Sequence, residues 1–91
     1  MAKVSVRMFA TVREASGASS VCVEASSMTE LFSRLGRMYG TEFSMLLDRT
    51  KKDPEGLVIL LNGRNLDRRR LLSQGLIDGD EVAIFPPVSG G

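Results

Sequence analysis

Histidine and tryptophan are absent from this chain, and cysteine occurs once, as Cys22. One cysteine cannot build a disulfide framework, and without histidine there is no Cys/His zinc site of ordinary spacing. Histidine general-base chemistry is excluded as well, which removes most hydrolase designs. An excess of charge of one sign is missing too: 12 basic residues stand against 11 acidic ones. That balance makes no general electrostatic case for nucleic acid or for an anionic membrane surface. No apolar run approaches membrane-spanning length, and Met1-Ala2-Lys3-Val4-Ser5 does not begin a secretory signal. These absences point to a cytoplasmic protein with no nucleic-acid or membrane partner, and one that does not run a reaction by itself.

What is present suits one small domain: 91 residues, 43% of them hydrophobic. Lys3 to Ala10 alternates, with Val4, Val6 and Met8 on one face and Lys3, Ser5, Arg7 and Phe9 on the other, the period of a half-buried strand. Thr11 to Ser16 reads as a turn or a single helical turn, punctuated by Gly17. Ser20 to Ala25 alternates again, with Val21 and Val23 inward, so the two strands are expected to pair as an antiparallel hairpin. Ser27-Met28-Thr29-Glu30 is a capping box. Behind it Leu31, Phe32, Leu35, Met38 and Tyr39 recur at helical spacing, and Gly40 stands where a C-terminal cap belongs. The Met and Phe residues of this helix are read as core, and Gly36 as a close-packing position.

Phe43 to Leu47 suggests another short helical piece, and Arg49 to Gly56 a solvated loop. Leu57 to Leu61 is a continuous apolar run, as expected of a strand buried within a sheet. Asn62-Gly63 is a tight-turn dipeptide that sends Arg64-Asn65-Leu66 back. Leu71 to Ile77 carries no clear pattern. Asp78-Gly79-Asp80 turns into a last strand, Glu81 to Phe85, with Val82 and Ile84 inward. One main helix over one face of a mixed sheet, an α+β arrangement, follows from this order.

The sequence closes with Phe85-Pro86-Pro87-Val88-Ser89-Gly90-Gly91. Two prolines stop the preceding strand and hold the backbone extended. Two glycines then leave a thread without side chains, narrow enough for an enzyme channel. Residues 1–87 are expected to form the folded body and 88–91 the flexible tail. A frayed end, or a Gly-Gly left by truncation or cloning, is the plain alternative. Against it, an ordinary disordered end has no need of Pro-Pro directly after a strand, and usually carries charge.

Three stretches together resemble a known family. They are Val6-Arg7-Met8-Phe9-Ala10-Thr11-Val12-Arg13-Glu14, Leu61-Asn62-Gly63-Arg64, and Asp78 through Gly91. With them the chain resembles the ubiquitin-like β-grasp sulfur carriers, above all the MoaD-like small subunit of molybdopterin synthase, and the related archaeal small modifiers. The resemblance implies a β-grasp fold and a non-catalytic protein that is a substrate and carrier. It implies that a ubiquitin-activating-like adenylating enzyme consumes ATP to activate the carboxylate of Gly91, with no cofactor held stably by the carrier itself. Sulfur from a persulfide would then give a thiocarboxylate, which the large subunit of molybdopterin synthase presents to a pterin precursor. Alternatively, lysines of target proteins attack the activated Gly91 carbonyl and the chain becomes a modifier. A third reading is a ubiquitin-like interaction domain whose Gly-Gly ending is accidental.

Under the first two schemes each tail residue has a part. Gly91 supplies the reacting carbonyl, and Gly90 lets a partner close around the backbone. Pro86 and Pro87 limit unbound conformations. Val88 is an apolar anchor, and Ser89 either hydrogen-bonds in the channel or is simply small. Phe9 and Phe85 are out of phase with the inward residues of their strands. Neighbouring first and last strands would bring the rings together on the face away from the helix, with Leu66 beside them, as a partner-docking patch. Loops over one or both rings would be the alternative. Cys22 is expected to fill space or face solvent at an edge, and Arg68-Arg69-Arg70 to be a solvated run. The isolated protein is expected to be a monomer.

Overall fold

Alternation fixes the first strand: in β1 (Lys3–Met8) Val4, Val6 and Met8 are buried while Lys3, Ser5 and Arg7 are exposed. The computed structural model describes residues 2–52, 57–66 and 68–86. Strand β1 pairs antiparallel with β2 (Ser20–Glu24) from Lys3↔Glu24 to Arg7↔Ser20. Between them, residues expected to make at most one turn form α1 (Ala10–Ser16), seven residues long, with Phe9 at its N-cap. Only Val12 of this helix is buried, too little apolar periodicity to signal a helix in sequence. Gly17 ends it at φ 78°, its N–H donating to the Arg13 carbonyl.

Helix α2 (Met28–Tyr39) starts on a cap shifted by one residue from the simple box. Ser27 Oγ accepts from the Glu30 N–H at 3.2 Å, while Glu30 Oε1 reaches past Ser27 to accept from the Ser26 N–H at 2.7 Å. Met28, Leu31, Phe32 and Leu35 are buried against the sheet side. Met38, expected in the core, is 48% exposed. It lies one turn beyond Leu35, while Tyr39 beside it still packs against the core.

The chain turns at Gly40 directly into α3 (Thr41–Lys52), twelve residues long, where only Phe43 to Leu47 was expected to be helical. Phe43 and Leu47, four residues apart, are its buried stripe. Leu46 packs partly against the core and Met45 is exposed. The apolar residues end at Leu47, so the apolar signal was shorter than the element, and Arg49 to Lys52 are helical rather than loop. Asp53 to Gly56 lie outside the described residues. Helices α2 and α3 cross closely at Gly36. A Cβ there would meet the Ser44 hydroxyl, whereas the Ser44 Cβ stands 3.5 Å off. Since a hydroxyl can rotate away, Gly36→Ala combined with Ser44→Ala should raise stability by about 1 kcal/mol through helix propensity. Urea denaturation reads this directly, and a lowered midpoint would mean that the crossing needs bare backbone.

Strand β3 (Val58–Leu61) returns through Asn62 (φ 50°) and Gly63 (φ 84°) into β4 (Arg64–Asn65). Two consecutive positive φ angles are what a two-residue hairpin turn requires. Helix α4 (Arg68–Leu71) takes up Arg68-Arg69-Arg70, expected to be a solvated run, and ends at the head of the stretch that had no clear pattern; Leu71 and Leu76 enter the core. The Thr29 hydroxyl donates to the Leu72 carbonyl at 2.7 Å and ties the segment to α2.

Strand β5 (Glu81–Phe85) completes a five-stranded mixed sheet of order β2-β1-β5-β3-β4, parallel to β1 and antiparallel to β3. A mixed sheet with α2 on its inner face is the expected α+β, β-grasp arrangement, although α3 thickens the helical side beyond the single helix anticipated. Tyr39 tilts against Phe43 at 5.1 Å in that layer, and burial pushes its hydroxyl pKa up. No helix among the described residues is long and apolar enough to cross a membrane.

Candidate functional site

Central placement of β5 decides what surrounds the root of the tail. Its first residues are buckled from below: Asp80, 7% exposed, accepts from the Ile77 N–H at 2.9 Å and from the Asn62 side-chain amide at 3.0 Å. Asn62 in turn accepts from the Glu81 N–H at 2.8 Å, and its own N–H donates to the Glu81 carbonyl at 2.8 Å. The Asn-Gly turn therefore does more than reverse the chain; it locks the start of the strand that carries the tail. Sequence reasoning had assigned Asp80 only to a turn.

At the other end, the parallel register Met8↔Ile84 carries Phe9 level with Phe85, and the Phe9 N–H donates to the Ile84 carbonyl at 3.2 Å. The two rings stack with centroids 4.3 Å apart and planes 4° from parallel, and both residues are half-buried. Pro86 follows, also half-buried; Pro87, Val88, Ser89, Gly90 and Gly91 lie outside the described residues.

Leu66 does not belong with the rings. The turn pairs Leu60 with Asn65, and the Leu66 N–H donates to the carbonyl of buried Ile59. A strand alternates its faces residue by residue, so Leu66 falls on the helix side, where it packs against the core. Val58, Leu60 and Ala83 take its place. The pairs Val58↔Phe85 and Leu60↔Ala83 put these half-buried residues on the outward face beside Phe85. The apolar run Leu57 to Leu61 predicts a strand buried within the sheet. Its outward residues are instead only half-buried, and an apolar run on a strand with one open face is the signal that could have found this patch.

Charged groups border it: Arg7 Nη1 stands 3.9 Å from Glu81 Oε1, and the guanidinium lies 5.7 Å from the centre of the Phe9 ring. Cys22 is exposed on the edge strand β2, as expected of it. Among the described residues no group of three His, Cys, Asp or Glu side chains could hold a metal ion. A groove of about 450 Å³ is lined by α2 and α3, including Thr29, Ser33, Arg37 and Asp48, with no residue of β1 or β5 in its wall. The described surface around Phe85 is thus apolar and aromatic, with Arg7 and Glu81 at its border, and such a surface suits protein docking.

Comparison with known proteins bears on the family and the fold. The ThiS family matches residues 6–91. Small archaeal modifier protein 3 of Haloferax volcanii is 33% identical over 92 residues, covering 98% of this chain and 99% of that protein. The solution structure of small archaeal modifier protein 1 from Methanosarcina acetivorans superimposes with a TM-score of 0.75 at 31% identity, covering 100% of this chain and 98% of that one. A chain from the complex of subunits 1 and 2 of the molybdopterin-converting factor of Helicobacter pylori matches with a TM-score of 0.64 at 27% identity, covering 98% and 99%.

Proposed function

This chain belongs to the ThiS family, and from that premise we propose that it is a sulfur carrier whose Gly91 carboxylate is adenylated and converted to a thiocarboxylate for molybdopterin synthesis. The observation that carries the reading is the Phe9–Phe85 stack at the root of the tail. It gives a partner an apolar, aromatic hold on the body at the point where the chain departs toward Gly91. A carboxylate is a poor electrophile, because attack must displace oxide from an anion. Attack of the carboxylate on the α-phosphate of ATP releases pyrophosphate and gives an acyl-adenylate. A persulfide then displaces AMP to form an acyl disulfide. A second thiol on the sulfur donor cleaves its S–S bond, leaving the thiocarboxylate on Gly91 and a disulfide on the donor.

Catalysis resides in the partners: a ubiquitin-activating-like adenylating enzyme that consumes ATP, and the large subunit of molybdopterin synthase. Pro86 and Pro87 limit the conformations of the thread; Val88, Ser89 and Gly90 are its passage into a channel. The H. pylori complex, in which two subunits of a molybdopterin-converting factor meet, supports a heteromeric working state.

A second reading has its own support. The identity to small archaeal modifier protein 3 favours conjugation of Gly91 to target lysines, which begins with the same adenylation. Intact mass spectrometry of the protein from its native cells separates the two. One oxygen replaced by sulfur supports the carrier, and lysines bearing a remnant of the tail support the modifier. Full function after deletion of Gly90 and Gly91, with neither form present, would overturn both and leave an interaction domain.

The docking patch is tested by Phe85→Ala. Stacking of this kind adds about 0.5–1.5 kcal/mol beyond area burial, so the body should remain folded. Affinity for the large subunit or the adenylating enzyme should fall about tenfold or more. An unchanged titration curve would remove Phe85 from the interface.

A further inference from the structure

Charge on the outward sheet face is ordered along the axis that leads to the tail. Arg7 lies opposite Ala83, one outward step from the rings of Phe9 and Phe85; Glu81 lies opposite Ser5, one step farther from the tail. The two charged groups are 3.9 Å apart, and their side chains are 56% and 51% exposed. An exposed pair at that separation is screened by water and holds its members weakly. The contact with Phe9 acts differently. A guanidinium over an aromatic ring keeps its planar donor fork in a restricted set of orientations without using up its donors. Arg7 is therefore positioned by a ring yet only loosely engaged by Glu81, so an incoming carboxylate can take it without breaking a strong bond.

We infer that Arg7 and Glu81 are specificity-determining residues of the docking face, and that the adenylating partner carries their complement. From the root of the tail outward, this face presents the apolar patch, then Arg7, then Glu81, with the facing pair Lys3 and Glu24 farther along β1 and β2. The partner that fits it presents an apolar floor at its channel mouth, then a carboxylate, then a basic side chain. A partner with the opposite order would set like charges against each other at both positions, which discriminates by repulsion as well as attraction. The inference rests on the proposal that Gly91 is adenylated and names the partner surface which that step uses.

The test is ATP–pyrophosphate exchange by the purified adenylating enzyme of the same organism, with the full chain as varied substrate. Arg7→Gln is expected to raise KM about five- to tenfold, to leave kcat within about twofold, and to flatten the dependence of KM on salt. The paired reversal Arg7→Glu with Glu81→Arg keeps an ion pair on the sheet and inverts its direction. Its KM should rise further than that of Arg7→Gln. Thermal unfolding accompanies each variant, and because both side chains are exposed, melting temperatures should stay near that of the unsubstituted chain.

An unchanged KM for Arg7→Gln, an effect confined to kcat, or a reversal that performs as well as the original would each overturn the inference while leaving adenylation standing. No exchange with the unsubstituted chain at all would instead bring down the adenylation proposal, and this inference with it.

Discussion

Gly91→Phe is expected to abolish both thiocarboxylate formation and conjugation, with loss of about 100-fold or more in the rate of adenylation. A benzyl group on the reacting residue cannot follow a thread shaped by Gly90 and Gly91, and a displacement of the carbonyl by even an ångström misaligns it with the α-phosphate of ATP. The body should be untouched, since every buried apolar residue identified lies between Val4 and Ile84. An unaltered melting temperature together with lost exchange activity is the expected pair of results. Gly91→Ala, adding one methyl group, should fall between. Cells carrying Gly91→Phe that made pterin cofactor and lysine conjugates at normal levels would end the proposal that this carbonyl is the working atom.

Phe43→Ala should have the largest effect on stability, a loss of about 3–5 kcal/mol. Phe43 is fully buried at the start of α3, with Tyr39 tilted against it at 5.1 Å. Removing its ring leaves a cavity between two helices whose backbones are already close at Gly36, so little collapse can fill it. For a domain whose whole stability is on the order of 5–15 kcal/mol, that change approaches global unfolding and corresponds to a fall in Tm of roughly 15 °C or more. Met45→Ala on the same helix, at a residue 59% exposed, is the control and should stay within about 0.5 kcal/mol. A small effect of Phe43→Ala in chemical denaturation would mean that α3 is a detachable appendage rather than part of the cooperative unit.

The contrast between α2 and α3 shows why one was legible in sequence and the other only in part. Helix α2 carries a Ser27 cap, a buried stripe at Met28, Leu31, Phe32 and Leu35, and a glycine at its end. Each signal is local, and they agree. Among its described residues helix α3 buries Phe43 and Leu47, and its apolar residues stop at Leu47 with polar residues at both ends, so its full length does not follow from its own apolar pattern. The candidate site divides in the same way. Alternation alone placed Phe9 and Phe85 outward. Leu66 was misplaced although the needed signal was at hand. A two-residue turn at Asn62-Gly63 fixes the register, pairs Leu60 with Asn65, and thereby turns Leu66 toward the helices. Asp80 looked like a turn residue because its role depends on Asn62, a partner distant in sequence and adjacent in space.

Amino-acid order by itself determined which side chains face in and out along β1 and β5, where α2 begins and ends, and that Pro-Pro and then Gly-Gly, with no charged side chain among them, follow the last strand. These follow from periodicity, capping chemistry and composition, all of which act between residues a few positions apart. Tertiary structure alone decided that β5 lies between β1 and β3, that the rings of Phe9 and Phe85 stack face to face, and that Arg7 shares its surface with Glu81. Those pairings join the two ends of the chain, and no local pattern encodes which distant strand will supply the missing backbone partners; only closure of the whole sheet over one core does.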